Sequence, residues 1–130
     1  MNLSVNIGRL KLRNPIMNAS GTFGTDDYKE YIDFSKIGAL VTKSVTRFKR
    51  EGNRAPRICE VEGGILNCVG IQKDGVIKFK EETRKRLSHV DTNIIGSISG
   101  SSAADYKDLA KIQDTEDKIS AYEINISCPN

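Results

Sequence analysis

Four short, mainly apolar stretches constrain the fold of this 130-residue chain more than any other feature. They lie at residues 16–19, 38–42, 93–98 and 121–126. Each has the length and composition of a strand, and three segments with helical character lie between them. Because consecutive parallel strands require an intervening crossover, this order predicts a parallel α/β sheet. The pattern alone leaves a barrel and an open sheet as alternatives.

Three helical segments are predicted between the strands, each from a capping residue followed by apolar residues at helical spacing. The predicted caps are Thr25, Asp74 and Ser102, and Asp105 stands three residues after Ser102 as in a capping box. The residues expected to face the core are Tyr28, Tyr31, Ile32, Val76, Phe79, Thr83, Leu87, Tyr106, Leu109, Ala110, Ile112 and Gln113.

Two segments lie outside this alternation of strands and helices. Residues 3–7 and 10–12 alternate in polarity around Gly8-Arg9, which predicts a hairpin with one buried face that caps a larger structure. Residues 45–73 form a long connection that contains several glycines and Pro56. A connection of that length in a compact domain is usually functional, so we expect a lid or a substrate contact there.

The composition argues against several other classes of protein. A net charge of +3, from 20 Lys+Arg and 17 Asp+Glu, is too small an excess to indicate a nucleic-acid partner. The chain shows no long apolar run and no signal segment at its start, so we expect a cytoplasmic protein without a membrane partner. The three cysteines include no C-x-x-C pair, which argues against a disulfide framework and against a bound metal.

Small or polar residues follow each of the four predicted strands. These clusters are residues 19–21, 43–44, 97–100 and 125–130. Since the carboxyl ends of parallel strands lie on one rim, where barrels and open α/β sheets bind ligands, we expect the clusters to form one site. Ordinary turn residues would explain the serines and glycines, but they explain Lys43 and Cys128 poorly.

Lys43 and Cys128 each have two interpretations. The Lys43 ammonium either meets an anionic ligand such as a flavin, phosphate or carboxylate at the mouth of a buried strand, or extends to solvent. A cysteine that stands alone is usually a small apolar residue. Beside Cys128, however, Asn125 and Asn130 supply the donors and acceptors that a planar, amide-containing ring requires, which favours a working thiol.

In their order and spacing, six motifs resemble the dihydroorotate dehydrogenase family, and within it the cytosolic class with a cysteine base. The resemblance extends along the whole chain. The motifs are Asn14-Pro15, Asn18-Ala19-Ser20-Gly21, Thr42-Lys43-Ser44, residues 52–57, residues 67–72 and residues 125–130.

The resemblance implies a (β/α)8 TIM barrel that binds FMN at its strand ends and oxidises dihydroorotate to orotate in pyrimidine (UMP) biosynthesis. A barrel of this kind needs about 250 residues. Residues 1–130 would therefore be the N-terminal half of a single FMN-binding domain, truncated after the fourth strand.

The resemblance also assigns roles to individual residues. Cys128 matches the family's base, which takes a proton from C5 of dihydroorotate while hydride leaves C6 for the flavin. The residues implied to bind FMN are Ser20, Lys43, Ser44, Ser97 and Asn125. The residues implied to bind the substrate are Lys43, Asn67, Cys68, Val69, Gly70, Ile71, Asn125 and Asn130.

Two positions depart from the family pattern. Ser97 stands where many members have an asparagine near the flavin, and Lys73 stands where the loop usually continues with asparagine. A serine still donates one hydrogen bond, so FMN binding remains the expectation.

The motifs are divided between two branches of the family. Residues 21–24 and 70–72 resemble the branch in which a partner subunit with FAD and an iron–sulfur cluster passes electrons to NAD. Residues 18–20 and 97–100 are closer to a single-subunit branch that reduces fumarate. We favour the NAD-linked branch, assembled as a homodimer or as a heterotetramer with the electron-transfer subunit.

A non-catalytic alternative stays open. Half of a closed sheet exposes two strand edges and an apolar face, so such a chain should associate with itself or with a partner. In that interpretation the chain is a half-barrel that binds no flavin alone.

Overall fold

The structure, a computed structural model, describes residues 1–22 and 30–128. Its elements in chain order are β1 (Val5–Ile7), β2 (Leu10–Leu12), a 3-10 turn (Phe34–Lys36), β3 (Ala39–Val41), β4 (Ile58–Val61), β5 (Gly64–Asn67), α1 (Val76–Arg86), β6 (Asn93–Ile98), α2 (Ala103–Gln113) and β7 (Ile119–Ile124).

A three-stranded parallel sheet in the order β3-β6-β7 organises the molecule. Met17 adds a parallel bridge to Ala39 on the far side of β3. The predicted first strand is therefore reduced to a bridge, while the parallel α/β sheet is confirmed. Its strands lie side by side in the order in which the chain visits them, which is the arrangement of a barrel wall.

The last strand begins two residues earlier than predicted, at Ile119. β7 contains a register shift, because Ile94 pairs with Ile119 whereas Ile95 pairs with Ala121. The extra residue is a bulge, and across it the alternation of faces changes: Ile119 packs with the helix-covered cluster, whereas Ala121 packs on the hairpin-covered face.

One face of the sheet is covered by the helices. Leu40 and Ile94 lie in a cluster with Phe34, Leu87 and Val90, and Ile98 lies in a second cluster with Val45, Val76 and Leu109. Ile94 is only 1% exposed. Burial of a large aliphatic side chain stabilises a fold by about 1.5 to 3 kcal/mol, so these clusters fix α1 and α2 against the strands.

The opposite face is covered near the starts of the strands by the β1–β2 hairpin. Leu12 is fully buried against Ala39, Val41 and Ile95. β1 and β2 pair antiparallel, with Val5 opposite Leu12, as the alternation of polarity predicts. The prediction of a capping hairpin with one buried face is confirmed.

Helix α2 follows the prediction closely. The Ser102 hydroxyl accepts a hydrogen bond from the Asp105 backbone N–H at 3.2 Å, and the Asp105 carboxylate accepts one from the Ser101 N–H at 3.0 Å. Its inner side carries Leu109 and Gln113, both buried, as predicted. Tyr106, Ala110 and Ile112 are half-buried and pack beside Leu109.

Helix α1 departs from the prediction at its start. Gly75, with a φ of +86°, directly precedes the helix. The Asp74 carboxylate instead accepts a hydrogen bond from Lys78 Nζ at 2.9 Å, which lowers the pKa of Asp74. Val76 and Leu87 are buried and Phe79 is half-buried, as predicted, whereas the side chain of Thr83 is outside the described part.

The helix predicted after the first strand falls mostly outside the described residues, which exclude Thr25 and Tyr28. Ile32 packs against the Phe34 cluster as expected. Tyr31 was expected in the core, and that prediction is wrong because its side chain is 81% exposed. Residues 34–36 form the 3-10 turn, in which the Asp33 carboxylate accepts from the Ser35 N–H.

The long connection holds a hairpin that the sequence did not predict. β4 and β5 pair antiparallel, with Ile58 opposite Asn67 and Val61 opposite Gly64, and every residue in both strands is exposed. Arg50 and Lys73 form a bridge at the base of the connection through two backbone hydrogen bonds of 2.7 and 3.0 Å. The connection is therefore an ordered unit on the surface of the molecule.

Within residues 1–22 and 30–128, no helix is long and apolar enough to cross a membrane. The same residues contain no group of three His, Cys, Asp or Glu side chains that could hold a metal ion. Cys59, Cys68 and Cys128 are free and exposed.

Candidate functional site

Three side chains predicted at the strand ends, those of Ser44, Ser97 and Asn125, form one hydrogen-bonded network, and Ser20 adjoins it. The Ser44 hydroxyl lies 2.9 Å from the Ser97 hydroxyl and accepts a hydrogen bond of 2.8 Å from Asn125 Nδ2. The Ser20 hydroxyl lies 3.4 Å from that of Ser44 and donates to the Thr42 carbonyl at 3.0 Å. The expectation that the rim clusters meet is therefore confirmed for Ser20, Ser44, Ser97 and Asn125.

The register of the sheet explains why these residues meet. Ser97 follows Ile95 on the hairpin-covered face of β6, one layer closer to the strand ends. The backbone of Val45 pairs with Ser97 and Ser99, which carries Ser44 alongside the end of β6. The Asn125 N–H donates to the Ile98 carbonyl at 2.9 Å and continues the β7 ladder. The hairpin-covered face thus changes from apolar near the strand starts to polar at their ends.

Burial makes the network rigid. Ser97 is fully buried and Ser44 is 6% exposed. A buried hydroxyl without a partner costs about 1 to 3 kcal/mol, so each of these groups is held to its partners. Asn18 adds a second anchor, because its amide exchanges two hydrogen bonds of 2.8 Å with the backbone of Val41.

Glu123 belongs to the same network and was not singled out from the sequence. Its carboxylate accepts a hydrogen bond of 2.8 Å from the Ser97 hydroxyl, and the two residues are register partners in β6 and β7. An acidic residue within a predicted strand was the available signal. It could not be interpreted without the bulged register that sets Glu123 opposite Ser97.

Lys43 lies next to this network and is exposed. Its aliphatic stem passes Gly21, where an added Cβ would lie 3.5 Å from Lys43 Cγ. Gly21 has a φ of +78°, so the turn after Ser20 favours glycine. Among the described residues Lys43 forms no ion pair, and its charge remains available to a ligand at the rim.

Cys128 follows the network along the chain and is exposed. Asn125, three residues earlier in the chain, accepts a hydrogen bond from the Ser127 N–H through Oδ1 at 3.4 Å. The Tyr106 hydroxyl donates to the Asn125 carbonyl at 2.7 Å, which ties this end of β7 to α2. Asn130, the other amide predicted beside the thiol, lies outside the described residues.

Residues 67–71 form a separate group in the long connection. The Cys68 N–H donates to the Arg57 carbonyl at 2.8 Å, and Asn53 binds the carbonyls of Cys68 and Val69 at 2.9 and 3.1 Å. Gly70 and Ile71 both have positive φ angles, of +79° and +49°. Within the part of the chain described, these hydrogen bonds connect the loop to residues 53–57 and not to the serine network.

Arg57 holds this group together. Its guanidinium donates to the carbonyls of Asn53 and Glu51 at 2.5 and 2.9 Å, and to Gln72 Oε1 at 2.5 Å. A planar guanidinium with several fixed donors suits this bridging role. A cavity of about 190 Å³ opens beside it, and its lining residues are Pro56, Arg57, Ile58, Cys59, Leu66, Asn67 and Cys68.

The basic stretch from residue 47 to 57 is largely neutralised or engaged. Arg47 forms an ion pair with Asp108 at 2.7 Å, and Lys49 forms one with Glu51 at 2.7 Å. With Arg57 bound to backbone carbonyls, the stretch is a structured loop and does not form a continuous cationic surface.

Comparison with known proteins gives a consistent result. The family model described as "Dihydroorotate dehydrogenase" matches residues 2–130. A curated protein of Bacteroides thetaiotaomicron named "Dihydroorotate dehydrogenase B (NAD(+)), catalytic subunit" is 48% identical over 129 residues, which cover 98% of this chain and 43% of that protein. A protein of the same name from Desulforamulus reducens is 45% identical over 131 residues, which cover 100% of this chain and 43% of that protein.

A solved structure supports the fold. The crystal structure of DHODH in complex with ferulenol from Eimeria tenella superposes with a TM-score of 0.59 at 19% identity, over 85% of this chain and 33% of that chain. The chain thus spans less than half the length of the curated relatives that it matches.

Proposed function

Because the chain belongs to the dihydroorotate dehydrogenase family, we propose that it supplies the first half of an FMN-binding (β/α)8 barrel that oxidises dihydroorotate to orotate in pyrimidine biosynthesis. The observation that carries this proposal is the network at the strand ends. Ser20, Ser44, Ser97 and Asn125 come from four different segments and meet at the rim where such barrels bind their ligands.

The residues present fit FMN chemically. Asn125 offers an amide that can both donate and accept, and Ser44 offers a hydroxyl oxygen that can accept, as the polar edge of a flavin ring requires. Lys43 adds a cation with no ion pair among residues 1–22 and 30–128, and Gly21 leaves the backbone close to the lysine stem. We assign Ser20, Lys43, Ser44, Ser97 and Asn125 to the cofactor. When bound, FMN would supply the hydride acceptor.

The chain's own residues would hold the substrate and move its proton. Cys128 is the proposed base, exposed just beyond β7 and able to take a proton from C5 of dihydroorotate. The Lys43 ammonium would attract the substrate carboxylate. We also assign to the substrate the remaining predicted residues, which are Asn67, Cys68, Val69, Gly70, Ile71, Asn125 and Asn130.

The names of the curated relatives support NAD as the final electron acceptor. Those proteins are called catalytic subunits of a B-type enzyme, so we propose a partner subunit that carries FAD and an iron–sulfur cluster. The assembly would then be a heterotetramer. The alternative is a homodimer that passes its electrons to fumarate. We propose the cytoplasm as the location.

The second candidate function is a half-barrel that binds no flavin by itself. The observation that favours it is length, since the chain corresponds to 43% of its curated relatives. Within the described residues, β7 pairs on one side only, with β6. A strand edge left open in this way promotes association with another chain or segment.

Flavin content and the Cys128→Ala variant test the proposal. The purified full-length protein should show flavin absorbance, and Cys128→Ala should retain it because the thiol contributes little binding surface. Its flavin reduction by dihydroorotate should slow by about 10² to 10⁴, the usual contribution of a general base. Anaerobic stopped-flow absorbance measures this rate.

Cys59→Ala is the matched control, because Cys59 is also an exposed free thiol but lies on the β4–β5 hairpin. It should reduce flavin at the parent rate. A colourless wild-type protein would support the half-barrel that binds no flavin. If the Cys128→Ala protein contains flavin and dihydroorotate reduces that flavin at the parent rate, the assignment of Cys128 as the base is wrong.

A further inference from the structure

The protons available to the rim network can be counted, and the count fixes the direction of every hydrogen bond in it. A serine hydroxyl has one proton to donate, and an ionised carboxylate has none. The Ser97 hydroxyl donates to Glu123 Oε1 at 2.8 Å, so the Ser97 proton is committed to that carboxylate. The contact of 2.9 Å between Ser97 and Ser44 must then use the proton of Ser44.

This assignment determines the orientation of Asn125. Because Ser44 has given its only proton to Ser97, its oxygen can only accept from the Asn125 side chain. Nδ2 must face Ser44, at 2.8 Å, and Oδ1 must face the Ser127 N–H. The opposite amide orientation would bring two acceptors together at hydrogen-bond distance.

Ser20 does not alter the count. Its proton goes to the Thr42 carbonyl at 3.0 Å, and its oxygen is 3.4 Å from that of Ser44. Both hydroxyl protons are already used elsewhere, so this pair is a contact without a shared proton. The chain of donors thus runs one way, from Asn125 through Ser44 and Ser97 to Glu123.

We propose that Glu123 is a positioning residue that fixes the orientation of the Asn125 amide through Ser97 and Ser44. The carboxylate lies at one end of the network, and Asn125 lies at the other, where its Oδ1 accepts from the Ser127 N–H. Its relevance to catalysis rests on the proposed function, in which Asn125 contacts cofactor and substrate. With the order fixed, Asn125 presents its carbonyl to the Ser127 N–H and its NH2 group to the serines.

Glu123→Gln is the informative variant, because it keeps the size of the side chain but adds an NH2 group that can donate to Ser97. Donation from that group would release the Ser97 proton toward Ser44 and allow the order to reverse. We expect the side-chain NH2 resonances of Asn125, assigned by NMR in the full-length protein, to broaden or double. Their hydrogen exchange should become about tenfold faster, as the loss of one fixed hydrogen bond predicts.

Glu60→Gln is the matched control, since it makes the same chemical change on the exposed hairpin. It should leave the Asn125 resonances unchanged. Ser97→Ala provides a second route to the same result, because it interrupts the chain between Glu123 and Ser44 and should also disorder Asn125. Should Glu123→Gln fail to fold, Ser97→Ala still decides the question.

A folded Glu123→Gln or Ser97→Ala protein with an unchanged Asn125 spectrum would overturn the proposal. The outcome is independent of flavin, since the spectra are recorded on protein from which any bound flavin has been removed. A separate titration of the flavin-free wild-type protein with FMN tests the proposed function. If that titration shows no binding while Asn125 responds to Glu123→Gln, the proposed function fails and the positioning role stands.

Discussion

Strands β6 and β5 are both rich in aliphatic residues but have opposite environments. β6 has five buried residues out of six, whereas all four residues of β5 are exposed. The difference lies in what covers each strand. β6 lies between two strands and has helices on one face and the β1–β2 hairpin on the other, while β5 has β4 as its one strand partner in the part of the chain that the structure describes. The aliphatic content of a strand therefore does not predict whether it is buried. β6 is buried because the crossover helices and the capping hairpin cover its two faces.

The strongest test of this comparison is the same substitution in both strands. Ile94→Ala in β6 should lower the free energy of unfolding by about 3 kcal/mol, because it leaves a cavity in a packed cluster. Ile65→Ala in β5 removes a side chain that is 64% exposed, so the free energy of unfolding should change by less than about 0.5 kcal/mol. Urea denaturation measures both. Equal losses would mean that the hairpin is covered in solution.

A second pair of variants adds a methyl group instead of removing a side chain. At Gly96 in β6 a new Cβ would lie 2.5 Å from Gln113 Oε1 and 3.3 Å from Ile119 Cγ2. Gly96→Ala should cost about 1 to 3 kcal/mol through overpacking. At Gly64 in β5 nothing lies within 4 Å, so Gly64→Ala should be nearly neutral. Thermal unfolding measures the two effects. Equal losses of melting temperature in Gly96→Ala and Gly64→Ala would contradict the comparison.

The smallest effect on global stability is expected in the long connection. Arg57→Ala removes the three hydrogen bonds that join residues 51, 53 and 72 to its guanidinium. Global stability should change by less than about 0.5 kcal/mol, because the sheet does not depend on this loop. The Asn53 N–H, which binds Val69, should exchange about tenfold faster as the loop opens locally.

Arg54→Ala is the control for this measurement, since Arg54 is an exposed arginine three residues away. It should leave the exchange of Asn53 unchanged. If Arg57→Ala instead destabilised the whole molecule as much as Ile94→Ala, the connection and the sheet would have to be treated as one cooperative unit.

The sheet and the rim could be predicted because their signals are local. Apolar runs of strand length, separated by helical segments, led to β3, β6 and β7. Because parallel strands end on one rim, the sequence also predicts that four residues lie close together there, which are Ser20, Ser44, Ser97 and Asn125. The β1–β2 hairpin was predictable for a similar reason, because a strict alternation of polarity surrounds its turn.

The remaining features depend on information that is not local. Glu123 lies opposite Ser97 because a bulge shifts the β6–β7 register, and no pattern in the sequence locates that bulge. The β4–β5 hairpin was missed because Glu60 and Glu62 interrupt its apolar residues and nothing buries them. Tyr31 was placed in the core on helical spacing, but residues 34–36 form only a 3-10 turn, so that spacing does not apply.

The bridge between Arg50 and Lys73 has a consequence for how this protein can vary over evolution. The two backbone hydrogen bonds bring the ends of residues 51–72 together beside the sheet, so the segment between them leaves and re-enters the fold at one point. The entropy of closing such a loop grows only with the logarithm of its length. Insertions and deletions at the tip of the β4–β5 hairpin should therefore accumulate among homologues, while residues 67–71 and the spacing of the strands on either side stay constant.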